Sequence, residues 1–331
     1  MNTLRKVQVN WEEVGAESAG QRIDNFLAKI LKGVPRSHIH RILRSGEVRV
    51  NSGRVDATYR IQSGDRVRIP PVRRSSAEIK PEGGASLSIL LEPFIIYEDE
   101  SFLALNKPSG WAVHGGSGVR RGVIEQLRAE RPGARFLELV HRLDRDTSGI
   151  LLVAKRRSIL VALHELFRQH HLDKRYLAFV KGELAENRLV VSASLHKFHT
   201  AGGERRVMVS DAGKESSTVL VSKALLAGAT LVEARLQTGR THQIRVHLSH
   251  LGHPIAGDDK YGDFEWNRQN ARRGLKRLFL HASLLRFTHP ESGEKLVLKA
   301  ELPPELASFL EKWSATGDDL LPETEKVQES P

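Results

Sequence analysis

The stretch LVHRLDRDTSGILLVAK, from Leu139 to Lys155, changes character twice along its length. An apolar entry leads into a compact charged loop, and a glycine then opens an aliphatic run that is typical of a buried strand. In the loop Asp144 lies between Arg142 and Arg145, and flanking cations favour an ionised carboxylate. Asp144 and the polar residues after it would equally suit the capping of a turn. From these residues alone, a structural and a catalytic role of Asp144 both stay open.

Two further strings carry residues that are suited to chemistry. Residues 237–248 read QTGRTHQIRVHL, in which Thr241 is a candidate helix N-cap and the following helix carries Arg245. A buried arginine needs an anion, and Asp144 would serve. Residues 173–180 read DKRYLAFV. There Tyr176 either fills the core with its hydroxyl satisfied or stacks on a nucleobase.

Several common kinds of site are excluded. The 331 residues contain no cysteine, which removes disulfides, thiolate zinc sites and cysteine nucleophiles together. The segment Gly213-Lys214-Glu215 lacks the upstream glycine and the following Ser/Thr of a phosphate-binding loop, and no Gly-x-Ser-x-Gly elbow accompanies the turn that begins at His114. Four histidines crowd residues 242–253 without a His-Glu-x-x-His pattern, which favours helix packing or RNA contact over a metal site. We therefore expect no metal site.

The large central part of the chain mixes strands and helices without a regular alternation. Strand-like runs occupy 94–97, 102–106, 149–154, 176–181, 218–222, 230–236 and 296–300, and helical patterns occupy 123–130, 158–170, 241–251 and 304–313. This order predicts an α+β fold with a mixed, mostly antiparallel sheet and flanking helices, rather than a doubly wound sheet.

The division of the chain follows from composition. It consists of a lead-in at 1–19, a small basic domain at 20–74, a linker at 75–90, the large domain at 91–314 and an acidic, disordered tail at 315–331. No signal-peptide core and no apolar run of about 20 residues is present, which favours a cytoplasmic protein without a membrane partner.

Most of the net charge of +11 lies in the small domain, which has 13 Lys/Arg against 4 Asp/Glu. The rest of the chain is nearly balanced, at +2. Apolar residues recur at helical spacing from Ile23 to Leu31, and a second helix is predicted from Arg36. Its Arg36, Arg41 and Arg44 lie off the apolar stripe, and two short alternating strands follow. Such a surface binds phosphates without reading the base sequence.

The small domain resembles the S4 RNA-binding domain. The similar segments are RIDNFL from Arg22, RSHIHRILRSGEVRVN from Arg36 and GDRV from Gly64. This resemblance implies RNA binding but no particular reaction.

The large domain resembles the RluA-type pseudouridine synthases. The similar motifs are NKPSG at 106–110, HRLD at 141–144, DTSG at 146–149, KRY at 174–176 and GRTHQIRVH at 239–247. The related RsuA-type enzymes usually carry glycine where His141 stands. The resemblance spans about 20–313 and thus covers both domains.

This resemblance implies that a uridine in RNA is isomerised to pseudouridine without a cofactor or metal. Asp144 would be the nucleophile, either attacking C1′ of the ribose or promoting departure of the uracil, and Arg245 would pair with it. Tyr176 would pack on the target base and is a candidate for proton transfer at C5. Arg142 would occupy the place of the flipped-out uridine. Further RNA contacts are expected from Lys107 and from the three arginines of the small domain, Arg36, Arg41 and Arg44.

The resemblance further implies a partner, which is 23S rRNA or an assembly intermediate of the large ribosomal subunit. No obligate protein partner is indicated, and a monomer is expected. Two alternatives stay open. One is a synthase of the same type that acts on other rRNA or tRNA uridines. The other is a non-catalytic RNA-binding protein of ribosome assembly, against which the intact Asp144, Tyr176 and Arg245 argue.

Overall fold

The computed structural model describes residues 9–31, 33–72, 90–115, 121–184, 186–200 and 202–317. The chain divides into two compact units, residues 1–85 and 86–331. The predicted linker, apart from its last residue, and the predicted tail beyond residue 317 lie outside the described residues. Within the described ranges, no helix combines the length and the apolar character needed to cross a membrane.

The small unit is built from two helices and four short strands. Its helices are α1 (Ile23–Ile30) and α2 (Arg36–Arg44), and its strands are β1 (Asn10–Glu13), β2 (Arg49–Val50), β3 (Gly53–Arg54) and β4 (Arg66–Ile69). The strands form an antiparallel sheet in the order β1-β4-β2-β3. Both helices and both strands predicted for this unit are confirmed.

The apolar stripes of the two helices form the core of the small unit. Ile23, Leu27 and Ile39 are fully buried there. Burial of one such side chain stabilises the fold by roughly 1.5–3 kcal/mol. The predicted basic residues of α2 stay outside this core, so the same helix separates a folding face from a charged one.

The large unit contains a ten-stranded sheet, a two-stranded hairpin and, among its described residues, five helices. Its strands are β5 (Ile95–Glu98), β6 (Phe102–Lys107), β7 (Glu138–Leu139), β8 (Ser148–Ala154), β9 (Asp173–Lys181), β10 (Arg188–Ser192), β11 (Leu195–His199), β12 (Arg205–Val209), β13 (Ser217–Leu226), β14 (Ala229–Leu236), β15 (Leu280–Thr288) and β16 (Lys295–Lys299). Its helices are α3 (Val123–Glu130), α4 (Arg157–Arg168), α5 (Gln243–His250), α6 (Phe264–Arg272) and α7 (Pro304–Gly317).

The main sheet runs in the order β10-β13-β14-β9-β15-β8-β6-β5, with β16 paired to β15 and β7 paired to β8. Among the described strands, only β8 and β15 pair in parallel, and the other pairs are antiparallel. The predicted α+β class with mostly antiparallel pairing is therefore confirmed. Each of the seven predicted strand runs and four predicted helical patterns overlaps an observed element, while β7, β10, β11, β12, β15 and α6 were not predicted.

The parallel pair joins β8 to β15 through two residue pairs, His281 with Ser148 and Ala282 with Gly149. Gly149 has a φ of +108°, and the backbone of Ala282 occupies the space that a Cβ at this position would fill. Only glycine satisfies both conditions. The glycine that ends the charged loop thus lets the loop enter the sheet directly beside β15.

Helix α5 begins differently from the prediction. Thr241 was the expected N-cap, but the N-cap residue is His242, with a φ of 54° and a ψ of 21°. The left-handed backbone of His242 turns the chain sharply between β14 and α5, so the helix begins at Gln243. The prediction of Thr241 as N-cap is wrong because a capping pattern in the sequence does not reveal such a turn.

Candidate active site

The charged loop before β8 is anchored at its start by the side chain of His141. The backbone N–H of Leu152 donates to Nε2 of His141 over 3.1 Å, and the imidazole stacks on Phe167 with ring centroids 5.0 Å apart. Burial, with the charge of Lys174 second, lowers the pKa of His141 to about 3, so the ring is neutral and able to accept. Three residues further on, the carbonyl of Asp144 accepts from Thr147 N–H over 3.3 Å. The backbone of Asp144 therefore does close a turn, while its side chain remains available.

The side chain of Asp144 faces α5. Its Oδ2 lies 3.5 Å from Nη1 of Arg245 and 3.8 Å from Nε2 of His242. The predicted proximity of Asp144 and Arg245 is present, but Asp144 is not the main anion for this arginine. That partner is Asp258, whose two carboxylate oxygens accept from Nε and Nη2 of Arg245 over 2.7 Å each.

The pair of Arg245 and Asp258 is the electrostatic centre of the site. Both side chains are nearly fully buried, at 4% and 1% exposure. Burial alone would lower the pKa of Arg245, but hydrogen bonds and charge from Asp258, with Asp144 and Asp259 beyond, hold it above its usual value. Burial likewise opposes ionisation of Asp258. The hydrogen bond and the charge of Arg245 nevertheless hold the pKa of the Asp258 carboxyl below its ordinary value. The arginine is thus a fixed cation directed at Asp144.

Tyr176 reaches the same place from the middle of β9, where it pairs with Ala234 of β14 and Ala282 of β15. Burial, and secondly the charge of Asp144, raises the pKa of its hydroxyl, so Tyr176 stays protonated at neutral pH. Its ring packs against the apolar cores on both sides of this region.

A cavity of about 260 Å³ collects these side chains. It is lined by Arg142, Asp144, Thr147, Phe167, Lys174, Tyr176, Leu236, Arg240, His242, Arg245 and Leu280, among others. Its volume is below the ~300–1,000 Å³ typical of drug-sized ligand pockets. Such a size suits a single nucleobase, and the lining combines apolar with charged side chains. Of the predicted site residues, Asp144, Tyr176, Arg245 and the exposed Arg142 all meet here.

Lys107, for which an RNA contact was predicted, is an interior residue with 1% exposure, and this burial argues against that contact. Its Nζ donates to the carbonyl oxygens of Pro108, Trp111 and Arg145 over 2.8, 3.0 and 3.0 Å. Three acceptors match the three protons of an ammonium group. The lysine therefore ties the turn after β6 to the loop that carries Asp144.

One of the crowded histidines, His247, has structural partners at both ring nitrogens. His247 is fully buried, with Ser216 Oγ 2.9 Å from its Nε2 and Thr218 Oγ1 3.0 Å from its Nδ1. Within the described parts of the chain, no group of three or more His, Asp or Glu side chains is placed to hold a metal ion.

Comparison with known families matches both units. The S4 domain profile matches residues 21–67, and the RNA pseudouridylate synthase profile matches residues 101–250, which include Asp144, Tyr176 and Arg245. Three proteins named ribosomal large subunit pseudouridine synthase C are similar over 90% of this chain. The relative from Pasteurella multocida is 55% identical and 91% covered, that from Haemophilus influenzae is 53% identical and 93% covered, and that from Escherichia coli K12 is 54% identical and 95% covered. The chain belongs to the RluA-type pseudouridine synthases.

Two solved structures share the fold of the synthase unit. Human RNA pseudouridylate synthase domain containing 1 has a TM-score of 0.56 and 30% identity, over 70% of this chain and 91% of that one. Human RNA pseudouridylate synthase domain containing 4 has a TM-score of 0.55 and 27% identity, over 67% of this chain and 94% of that one.

Sequence reasoning on this synthase missed three residues around Asp144. Asp258, His242 and Tyr261 contact Arg245 or Asp144, or each other, but none was assigned a role in the site. Asp258 and Tyr261 both lie in the string AGDDKYGD at 256–263. Its adjacent carboxylates after an apolar segment were the available signal for a charge partner.

The sheet of the S4 domain carries a row of arginines. In the strand register Arg49 lies opposite Arg54 on one side and opposite Arg68 on the other. Like charges directly opposite each other destabilise a sheet. Bound phosphates relieve such repulsion. This arrangement therefore supports the phosphate-binding surface expected from the charge of this unit.

We expect Lys107→Met to lower the free energy of unfolding of the synthase by about 2–4 kcal/mol, since it leaves buried carbonyls unpaired. Burial lowers the pKa of Lys107 to about 7, below its ordinary value, so the native state releases this proton before the unfolded state does. The free energy of unfolding of the wild type should therefore increase relative to that of Lys107→Met as the pH rises above about 7. Urea unfolding at several pH values measures both effects.

The salt dependence of RNA affinity separates this internal role from an RNA contact. Lys107→Met should leave the slope of log affinity against log salt unchanged in the folded protein. A reduced slope together with unchanged stability would contradict the internal role.

Proposed function

We propose that this pseudouridine synthase converts specific uridines of 23S rRNA into pseudouridine, with Asp144 as the nucleophile. The observation that carries the mechanism is the meeting of Asp144, Arg245 and Tyr176 in one cavity sized for a single base. The 23S target is supported by the relatives whose names specify the large ribosomal subunit. This substrate also implies action in the cytoplasm, and we propose action as a monomer.

The reaction breaks the bond between C1′ and N1 of the uridine and forms a bond between C1′ and C5. The proton on C5 is lost and N1 gains one, so atoms and electrons balance without a cofactor. Asp144 either attacks C1′ directly or promotes departure of the uracil as an anion. In both routes, positive charge from Arg245 at 3.5 Å from Oδ2 holds the carboxylate towards the sugar.

Tyr176 acts on the base rather than on the sugar. It lines the cavity from β9, where its ring can stack on the base, and its raised pKa keeps the phenol protonated and able to donate a proton. A proton removed from C5 would need an acceptor nearby, and the carboxylate of Asp144 is the candidate, because the phenol of Tyr176 already carries its proton.

Arg142 acts at the mouth of the cavity. A base must leave its stack before it can reach Asp144, and this costs a few kcal/mol. The exposed guanidinium of Arg142 fills the gap that the flipped uridine leaves, and it can stack on the neighbouring bases.

The S4 domain holds the RNA through its phosphates. We expect Gln in place of Arg36, Arg41 and Arg44 together to reduce the slope of log affinity against log salt by about 2–3, since each phosphate contact contributes about 0.7–0.9. All three side chains are exposed on α2. Filter binding of an rRNA fragment from low to high salt measures the slope.

A matched triple variant controls for the loss of three positive charges. Gln in place of the exposed Arg188, Arg268 and Arg272 of the large unit removes the same charge far along the chain. Equal slopes for the two triple variants would contradict a specific phosphate-binding role of α2.

Pseudouridine mapping of 23S rRNA tests the function directly. RNA from cells that lack the gene should lose modification at defined positions, and the wild-type gene should restore them. A gene for the Asp144→Asn variant should not. If every 23S position stays modified in the deletion strain while a tRNA position is lost, the alternative synthase function replaces this one.

A further inference from the structure

His242 occupies a backbone conformation that its own residue type does not favour. Its φ of 54° and ψ of 21° lie in the left-handed region, where a residue with a Cβ is strained. Glycine would satisfy this turn at lower cost. The side chain of His242, which is 15% exposed and lines the cavity, gives a histidine a use at this turn.

One ring nitrogen of His242 is fixed by Tyr261. Nδ1 lies 2.8 Å from Oη of Tyr261, and the backbone N–H of Val207 in β12 donates to the same Oη over 3.0 Å. An N–H can only donate, so Oη accepts from Val207. The hydroxyl proton of Tyr261 can then be donated to Nδ1, the acceptor within reach at 2.8 Å, and this contact favours the tautomer with Nδ1 unprotonated.

The other ring nitrogen faces the reacting carboxylate. With Nδ1 an acceptor, a neutral His242 carries its proton on Nε2, which lies 3.8 Å from Oδ2 of Asp144. The opposite tautomer would point a lone pair at a carboxylate oxygen and leave the hydroxyl proton of Tyr261 without its acceptor. A contact of 3.8 Å exceeds a hydrogen bond, and catalytic contacts of this kind often shorten when substrate binds.

The surroundings of His242 favour the neutral ring. Burial is the largest cause of its lowered pKa, and the charges of Arg245 and Lys260 lower it further. The carboxylates of Asp144 and Asp258 act in the opposite direction and are outweighed. A neutral imidazole needs a hydrogen-bond partner to select its tautomer, and Tyr261 provides one.

We propose that His242 and Tyr261 are positioning residues for Asp144. Tyr261 holds His242 with its proton on Nε2, and this N–H together with Nη1 of Arg245 holds Oδ2, which leaves Oδ1 to react. Tyr261 supports both donors, because its ring also faces the guanidinium of Arg245 at 5.2 Å. The inference rests on the proposed role of Asp144 as the nucleophile.

Replacement of His242 separates its side chain from its backbone. His242→Gly relieves the strained turn but removes the donor, and we expect the single-turnover rate to fall about 100-fold with RNA affinity and thermal stability retained. His242→Gln returns an N–H at similar reach and should recover part of the rate. His250→Ala, on the exposed end of the same helix, is the matched control and should keep the wild-type rate. A wild-type rate for His242→Gly would overturn the proposal.

Tyr261→Phe gives a readout that a purely structural role would not move. Without the hydroxyl, the neutral ring is free to take the wrong tautomer, so the rate should fall about 10-fold near pH 8. At lower pH the imidazolium carries a proton on both nitrogens, and the loss should shrink. The groups that face this ring are Asp144, Arg245, Asp258 and Lys260, and all remain in the variant. A loss of equal size at every pH would contradict the tautomer assignment.

Nitrogen NMR of histidine-labelled enzyme measures the tautomer itself. The signal removed by His242→Gly should show an unprotonated Nδ1 and a protonated Nε2 in the full-length protein, and the reverse would overturn the proposal. Asp144→Asn, assayed beside these variants, distinguishes a failure of the proposed nucleophile from a failure of the proposed positioning residues. Retained turnover in that variant would remove the nucleophile and this inference together, whereas an inactive Asp144→Asn with a fully active His242→Gly would remove this inference alone.

Discussion

Asp144→Asn is expected to lower the rate of pseudouridine formation by at least about 10⁴-fold, the range seen when a catalytic nucleophile is removed. The amide has nearly the same size and shape, so the cavity and its RNA affinity should change little. What it lacks is the negative charge through which, in the proposed mechanism, Asp144 attacks C1′ or promotes departure of the uracil. Single-turnover assays with a 23S fragment, together with RNA binding curves, measure the two quantities separately.

The matched control is Asp211→Asn, the same substitution at an exposed carboxylate of the same unit. It should retain the wild-type rate. Residual turnover of Asp144→Asn within about tenfold of the wild type would assign the chemistry to another group, because an amide cannot replace a nucleophilic carboxylate.

Asp258→Ala is expected to have the largest effect on stability. It leaves the guanidinium of Arg245, only 4% exposed, without its main partner, and breaking a buried pair in this way costs about 3–5 kcal/mol. The folded pKa of Asp258 lies below its ordinary value. Its stabilising effect is therefore complete above the unfolded carboxyl pKa of about 3.9 and is lost only as the pH falls through the folded value. Urea unfolding near neutral pH should show the full difference.

A double variant separates stability from activity. Arg245→Met with Asp258→Leu replaces the pair by apolar side chains of similar volume, a change that is often neutral for stability. We expect stability to return towards the wild type while activity stays lost, since no cation then faces Asp144. A double variant as unstable as Asp258→Ala would show that the pair is not the cause of that instability.

The sequence was sufficient to locate Asp144, Tyr176 and Arg245 because each lies in a compact motif. The residues that pair with these charges from other parts of the sequence could not be predicted from compact motifs. Asp258 follows Arg245 by 13 positions but meets it only after the chain has left α5 and turned back. Lys107 was misassigned for a related reason, since a lysine in a motif shows its charge but not whether that charge faces solvent or three carbonyl groups.

Strands were not predicted where only one face of the strand is buried or where the residues show no clear preference for a strand. The hairpin β11–β12 alternates charged residues with few apolar ones, which gives little contrast along the chain. Strand β15 reads LHASLLRFT, with one β-branched residue among nine, and its place in the sheet is set by β8 and β9. Tertiary pairing outweighs the weak local preference of such segments. The left-handed turn at His242 was also not predicted, because the capping pattern of the sequence does not indicate it.

The pairing of β8 with β15 also sets an order of events during synthesis. Asp144 leaves the ribosome long before β15 does. Ser148 precedes its partner His281 by 133 residues in the sequence. Until β15 is made, the loop that carries Asp144 has no neighbour on that side of β8. Contacts of such long sequence separation form late in folding. A nascent chain therefore holds Asp144 without the sheet that orients it until translation of the large unit is nearly finished.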